Sequence, residues 1–270
     1  MTRSKMTIAE LGNKKARGEK ITMLTAYDFY TAAMIDSAEV DLILVGDSLG
    51  NVVMGYDSTV PVTMDEMVHH CKAVRNGTKY AFLIGDLPFM SYNITHEEAI
   101  RNSGRLIKEA GCDAVKLEGG TEMAPVVQAI VTAGIPVCGH IGLTPQTATQ
   151  LSGFGVQGKD EEGAKKLMES AKALDLAGAF LLVMECIPDV IAADISKAIS
   201  IPTVGIGAGP DCDGQVLVTN DLLGLYEKFV PKFVKQYTKL APMIKEAFAD
   251  YVREVKAGDF PGPEHTFHSK

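Results

Sequence analysis

Several apolar runs in this chain end on a carboxylate. "ILVGDSLGN" places Asp47 and Ser48 directly after its apolar stretch, "FLIGDLPF" ends on Asp86, and "AVKLEGG" ends on Glu118. A fourth run, "AFLLVMEC", ends on Glu185. Carboxylates that converge beside an apolar wall repel one another and lose hydration, so a cation must join them if all are to stay ionised. Oxygen donors with no cysteine or close histidine pair select a hard ion such as Mg2+ over zinc. Mg2+ takes one or two protein carboxylates and leaves positions for water and substrate. That suits Asp47 and Asp86 as direct ligands, with Glu118 nearby or bridged by water. Any one of these residues alone reads as well as an N-cap or loop carboxylate. Their repetition on three successive runs is what points to a metal.

Lys116 stands two residues before Glu118, so on a strand both side chains share a face. It has either an anionic ligand or a salt bridge as its partner. Glu185 ends the most apolar run, where burial can raise a carboxyl pKa and suit it to proton transfer. The other reading is a structural carboxylate held by loop N–H groups. His140 is either a polar contact beside these groups or a packed histidine, with packing the stronger reading. His69 and His70 are adjacent on a helical pattern and cannot face one site, which makes them surface and packing residues. "GIGAG" (205–209) lacks dinucleotide-loop spacing and precedes Pro210, so it reads as close backbone packing. The stretch 143–158, rich in Gly, Ser and Thr, is a candidate lid or second-substrate wall.

The elements that must position these groups are legible as alternating textures. Eight short apolar runs read as buried parallel strands: 21–25, 41–46, 80–85, 113–117, 135–139, 179–184, 201–206 and 215–219. Helical patterns lie at 28–38, 64–75, 96–109, 121–132, 160–176 and 188–199, with a helical tail from about Lys232 to Ala257. Thr7-x-x-Glu10, Thr63-x-x-Glu66 and Thr95-x-x-Glu98 are capping-box starts. Gly77, Gly111, Gly134 and Gly178 are expected to stop helices as left-handed C′ residues. Eight strands with intervening helices predict an α/β fold, a (β/α)8 TIM barrel with an extra N-terminal helix closing its bottom and a long C-terminal helical tail. A doubly wound open sheet is disfavoured, because "LTAYDFY" after the first strand has no glycine. No compositional break divides the chain, so residues 1–270 read as one domain.

In a barrel the C-terminal strand ends share one mouth, which gathers the carboxylates listed in sequence order. The 270 residues carry a net charge of -8 and no basic patch, which excludes nucleic acid as the expected partner and leaves small-molecule substrates. The charged N-terminus shows no signal-peptide core, and no apolar run is long enough for a membrane. Five scattered cysteines without a CxxC pair read as free core thiols of a reducing compartment, so a cytoplasmic location is expected.

The motifs "TAYD" (25–28), "VGDSLGNVVMGYDSTVPVT" (45–63), "GDLPFMSY" (85–92), "VKLEGG" (115–120), "PVCGHIGLTPQ" (136–146), "ECIP" (185–188), "VGIGAG" (204–209), "DGQVLV" (213–218) and "PGPEHTFH" (261–268) run in order over nearly the whole chain. In this the sequence closely resembles the ketopantoate hydroxymethyltransferase family. The resemblance implies a (β/α)8 barrel that moves a hydroxymethyl group from 5,10-methylenetetrahydrofolate to 3-methyl-2-oxobutanoate (2-oxoisovalerate) in pantothenate and coenzyme A biosynthesis. It implies Asp47, Asp86 and Glu118 as metal ligands, Asp47, Ser48, Asp86 and Lys116 as 2-oxo acid contacts, and Glu185 as proton acceptor. Homo-oligomers, often decamers, come with it. A 2-oxo acid chelated to Mg2+ would give a stabilised enolate, so the chemistry is consistent. Gly155 and Asn220 depart from the pattern, where many relatives carry a basic residue and a histidine. The alternative is a Mg2+-dependent lyase or mutase of the isocitrate lyase/phosphoenolpyruvate mutase type. It is disfavoured because a "KKCGH"-like loop is absent. A barrel kept only for binding is a third reading, which the intact acid set argues against.

Overall fold

The computed structural model describes residues 3–150, 153, 155–226 and 230–269. They group into two compact units, one ending at Val218 and one starting at Thr219. In the first unit the expected strands form as β1 (Ile21–Thr25), β2 (Leu42–Val45), β3 (Phe82–Asp86), β4 (Ala114–Glu118), β5 (Val137–Gly142), β6 (Leu181–Glu185), β7 (Thr203–Ile206) and β8 (Gly214–Leu217). All neighbours pair in parallel, and β8 pairs with β1 to close the barrel. The helices of this unit are α1 (Ile8–Arg17), α2 (Phe29–Ser37), α3 (Leu49–Val52), α4 (Met64–Gly77), α5 (His96–Lys108), α6 (Ala124–Thr132), α7 (Glu161–Leu176) and α8 (Asp189–Ala198). The chain is therefore a (β/α)8 barrel with one irregularity: β7 runs to β8 through residues 207–213 with no helix between them.

The strands are apolar at nearly every position because each face meets a different core. Met23, Leu42, Leu44, Phe82, Ile84, Ala114, Cys138, Val183, Val204 and Val216 fill the interior. Ile43, Val45, Leu83, Val115, Leu117, Leu182 and Met184 face the helices. Such two-sided burial removes the in/out polarity pattern of an exposed sheet. The alternation also aims the strand ends: Asp86 follows inward Ile84, and Lys116 and Glu118 follow inward Ala114.

The extra N-terminal helix closes the bottom. Leu11 of α1 is fully buried in the interior cluster. Lys14 pairs with Asp41 at 3.0 Å, and Lys15 pairs with Asp213 at 3.0 Å. Asp41, Asp113 and Asp213 stand just before β2, β4 and β8. Each accepts a backbone N–H near the start of the preceding strand, from Thr22, Leu83 and Thr203 at 2.8–2.9 Å. Asp113 has Arg75 (3.1 Å) and Lys5 as cations. Every one of these bottom-end aspartates thus has a fixed counter-charge.

Gly111, Gly134 and Gly178 have φ between 73° and 91° and end their helices as expected. Gly77 also ends its helix, as the last residue of α4, but without a positive φ; an added Cβ would stand 2.4 Å from the carbonyl oxygen of Phe29. Close approach of α2 to α4, not a left-handed turn, requires glycine there. Thr63 and Glu66 form both halves of a capping box, whereas Thr7 and Thr95 make only the threonine half. All five cysteines are free and buried.

The second unit holds α9 (Thr219–Leu222) and α10 (Leu240–Ala257). The tail helix starts at Leu240, later than the expected Lys232. The N–H groups of Tyr237 and Leu240 bond back to the carbonyls of Leu222 and Leu223, which holds the preceding segment off a helical path. Asn220 lies on α9. No helix among the described residues is long and apolar enough to cross a membrane.

Candidate active site

The barrel register brings the polar strand ends together at one mouth. Asp86 is in register with Lys116, and Glu118 with His140. Lys116 Nζ lies 2.5 Å from Asp86 Oδ1, with both side chains almost fully buried. That ammonium is the partner of Asp86 Oδ1. Asp86 Oδ2 accepts the Asp47 N–H at 3.1 Å, which anchors the turn after β2. Ser48 follows in that turn, its hydroxyl 2.8 Å from the Tyr27 hydroxyl. Tyr27 is held in turn through its carbonyl by His70 Nδ1 at 2.7 Å. His70 is therefore a support for the mouth, more specific than packing.

His140 occupies the space between two carboxylates. Nδ1 is 3.4 Å from Glu118 Oε1 and Nε2 is 3.2 Å from Glu185 Oε2. The ring is packed, as the stronger reading has it, and also a polar neighbour: it is buried within ion-pair distance of carboxylates on β4 and β6. Glu185 remains the most exposed of the acidic set, with 17% of its side chain accessible. A group that must meet a substrate proton needs that access.

Two participants escaped the sequence reading. Gln146 lies in the short 3-10 turn Pro145–Thr147 and is 3% exposed. Its Nε2 donates to Asp47 Oδ2 at 2.8 Å and to the Leu87 carbonyl at 3.0 Å, while its backbone N–H donates to Glu118 Oε2 at 3.0 Å. Tyr92, fully buried, places its hydroxyl 2.6 Å from Gln146 Oε1 and accepts the Glu118 N–H at 3.2 Å. Both sit in loops, where spacing along a strand or helix gives no face to read. The signal that was present is a buried-type polar residue directly after Pro145 in an otherwise small, flexible loop.

The electrostatics follow from burial and neighbours. Burial, then Asp86 and Glu118, push the Asp47 carboxyl well above the ordinary range. Burial raises Asp86 as well, against the pull of Lys116. Burial would raise Glu118, but His140, Lys116 and the Gln146 N–H outweigh it and hold it low. Burial and Lys116 oppose charge on His140, yet Glu118 and Glu185 carry its pKa to about 9. Burial likewise opposes charge on Lys116, and Asp86, Glu118 and Asp47 overcome it, so the ammonium stays charged.

The mouth thus holds four carboxylates against one ammonium and one imidazolium, two negative charges in excess. The bottom of the barrel shows no such excess. Burial first, and the crowding at the mouth second, favour the protonated form of Asp47. Among the described residues, no group of three His, Cys, Asp or Glu is arranged to hold an ion. Glu118 accepts the Gln146 N–H through Oε2 and has His140 beside Oε1. What fits the donor set is a hard divalent cation held by Asp47 and Asp86, since the donors are oxygens and the charge excess equals that of the ion.

"GIGAG" packs as expected: a Cβ on Gly205 would meet Cys212 Sγ at 2.7 Å, and one on Gly209 would meet Asp189 Cβ at 2.4 Å. In the candidate lid, Leu151, Ser152 and Phe154 lie outside the described residues. Gly155, exposed, accepts a hydrogen bond from Gln157.

Comparison with known proteins matches residues 5–263 to the family described as "Ketopantoate hydroxymethyltransferase". The chain is 59% identical over 263 residues to the 3-methyl-2-oxobutanoate hydroxymethyltransferase of Heliobacterium modesticaldum, covering 97% of this chain and 95% of that one. It is 57% identical over 267 residues to the enzyme of the same name from Syntrophomonas wolfei, covering 99% and 97%. Among solved structures, a phosphoenolpyruvate phosphomutase from Streptomyces platensis superposes with a TM-score of 0.63 at 14% identity, covering 95% and 92%. The barrel shape is shared with that mutase. The sequence is shared with the hydroxymethyltransferases.

Proposed function

We propose that this chain, which belongs to the ketopantoate hydroxymethyltransferase family, transfers a hydroxymethyl group from 5,10-methylenetetrahydrofolate to 3-methyl-2-oxobutanoate. The observation that carries the reading is identity above half along nearly the full length of enzymes with that name. The chemistry of the mouth supports it. A divalent cation such as Mg2+, held by Asp47 and Asp86, would supply Lewis-acid polarisation of the keto oxygen and acidify the C3 proton. Lys116 and Ser48 present an ammonium and a hydroxyl beside those carboxylates, suited to orienting the substrate carboxylate and keto group. Glu185, accessible and steadied by His140, takes the C3 proton. The electron pair left on C3 forms the new bond to the one-carbon unit of the folate. Water supplies the hydroxyl oxygen as that carbon leaves the folate, and tetrahydrofolate is released. Burial of Tyr92, Leu87 and Gln146 around the acid set keeps stray water off the reacting carbon.

As part of the same proposal, Glu118 stands behind the direct ligands, the location is cytoplasmic, and the protein works as a homo-oligomer. Phe29, Tyr30 and Met34, all exposed on α2, support self-association. The test is direct: 3-methyl-2-oxobutanoate, methylenetetrahydrofolate and Mg2+ with the purified chain, following ketopantoate, with chelator and Asp47→Ala controls. Product formation abolished by both controls is expected. No ketopantoate, with cleavage of a 2-hydroxy-tricarboxylate or dialkylmalate instead, would replace this reading by the lyase one.

A further inference from the structure

Asp47 ends a strand at a glycine, so its carboxylate has little of its own to fix its rotation. Its surroundings pull it in opposing directions. Asp86 and Glu118 repel it, and Lys116 attracts it. Among the described residues, one side chain donates a hydrogen bond to it: Gln146, from Nε2 to Oδ2. The orientation of that amide is not free. The Leu87 carbonyl can only accept, so the NH2 end of Gln146 must face it, and Oε1 must face the Tyr92 hydroxyl. Tyr92 takes the Glu118 N–H, and its single hydrogen has two acceptors in reach, Gln146 Oε1 at 2.6 Å and the Glu118 carbonyl at 3.1 Å, of which Oε1 is the closer. Both amide hydrogens of Gln146 are then spent, one on Leu87 and one on Asp47. The same residue's backbone N–H holds Glu118 Oε2.

We infer that Gln146 is a positioning residue for the metal carboxylates: it occupies Asp47 Oδ2, leaves Oδ1 for a divalent cation, and holds Glu118 apart from that role. With the Leu87 carbonyl holding one amide hydrogen, the other is aimed at Asp47, so that carboxylate has a fixed partner before any ion arrives. It is also set by a residue outside the barrel strands, in the turn that opens the loop 143–158. The assignment rests on the reading of Asp47 and Asp86 as metal ligands, and the experiment separates the two.

The measurement is Mn2+ binding to the full chain by electron paramagnetic resonance, with circular dichroism confirming the fold of each variant. Gln146→Met keeps the length of the side chain and removes its hydrogen bonds. Gln146→Asn keeps the amide but falls a methylene short of Asp47. Both are expected to weaken Mn2+ by about tenfold or more, the usual cost of losing a partner behind a metal ligand. Thr147→Val removes the hydroxyl pair with Thr144 (2.6 Å) in the same turn and leaves Gln146 in place, so Mn2+ affinity should stay within about twofold. A Thr147→Val loss as large as that of Gln146→Met would mean that the turn matters only as a scaffold, and would overturn the inference. Wild-type binding that Asp47→Asn weakens, but both Gln146 variants leave unchanged, overturns it as well. No Mn2+ binding by the wild-type chain, or binding indifferent to Asp47→Asn, overturns the ligand reading itself and this assignment with it.

Discussion

Lys116→Met should cost the barrel about 3–5 kcal/mol in the absence of divalent metal, the range for removing one partner of a buried ion pair. The structure sets that expectation near the full range for three reasons. Lys116 and Asp86 are 3% and 2% exposed, so water cannot take the place of the lost partner. The ammonium is 2.5 Å from Asp86 and, among the described residues, is the one permanent cation set among Asp47, Asp86 and Glu118. Methionine matches the lysine stem in length, so the loss is electrostatic and leaves no large cavity. For a barrel unit of this size the deficit corresponds to a fall in Tm of about 6–20 °C. The decisive comparison is Lys116→Met/Asp86→Asn, which removes the pair together. It should recover much of the loss, because it removes the carboxylate that Lys116→Met leaves most directly unpaired. Thermal melts followed by circular dichroism, in chelator at pH 7, read both. A single-variant shift under about 2 °C, or a double variant less stable than Lys116→Met, would refute the account of the mouth as a charge-crowded site held by Lys116.

Other outcomes follow from the same structure. Glu185→Gln should fold and bind Mn2+ as the parent does, yet lose exchange of the C3 proton of 3-methyl-2-oxobutanoate with deuterium; normal exchange by NMR would remove Glu185 as the base. Burial pushes the thiols of Cys138 to about 12 and of Cys186 and Cys212 to about 11, so a thiol-specific chromogenic reagent at pH 8 should leave these three untouched in the native chain and reach all five cysteines after unfolding. Rapid native labelling at Cys138, seen by peptide mass analysis, would contradict its buried position. Leu11→Ala should lower stability by about 2–5 kcal/mol, because Leu11 is wholly buried in the barrel interior; urea unfolding with a change below about 1 kcal/mol would mean that α1 is not a plug.

The barrel was legible because strands covered on both faces announce themselves as uninterrupted apolar runs, and because Gly111, Gly134 and Gly178 punctuate the helices before them. The acid set was legible for a related reason: a carboxylate is conspicuous at the end of such a run. What stayed hidden depends on contacts between residues far apart in the chain. Gly77 looked like a helix stop, since an Asn-Gly pair is usually a turn, but only the packing of α2 against α4 reveals its use. His140 looked like a core histidine until the β4–β5 register set it beside Glu118. Gln146 and Tyr92 reach the site from loops, whose path no periodicity encodes. The short α3 after Ser48 was missed because four residues are too few to show a helical period.

The α1 plug also has a consequence in time. It is synthesised before the barrel strands, yet its two lysines bridge Asp41, just before β2, and Asp213, just before β8. Ile21 of β1 pairs with Gly214 of β8, nearly two hundred residues later. At ribosomal rates of about 5–20 residues per second, β1 waits roughly 10–40 s for that partner. Through this interval β1 is an open sheet edge, Leu11 has no complete interior to fill, and Lys15 has no Asp213. The nascent barrel therefore carries an association-prone surface at its earliest-made strand, and only the emergence of β8 retires it.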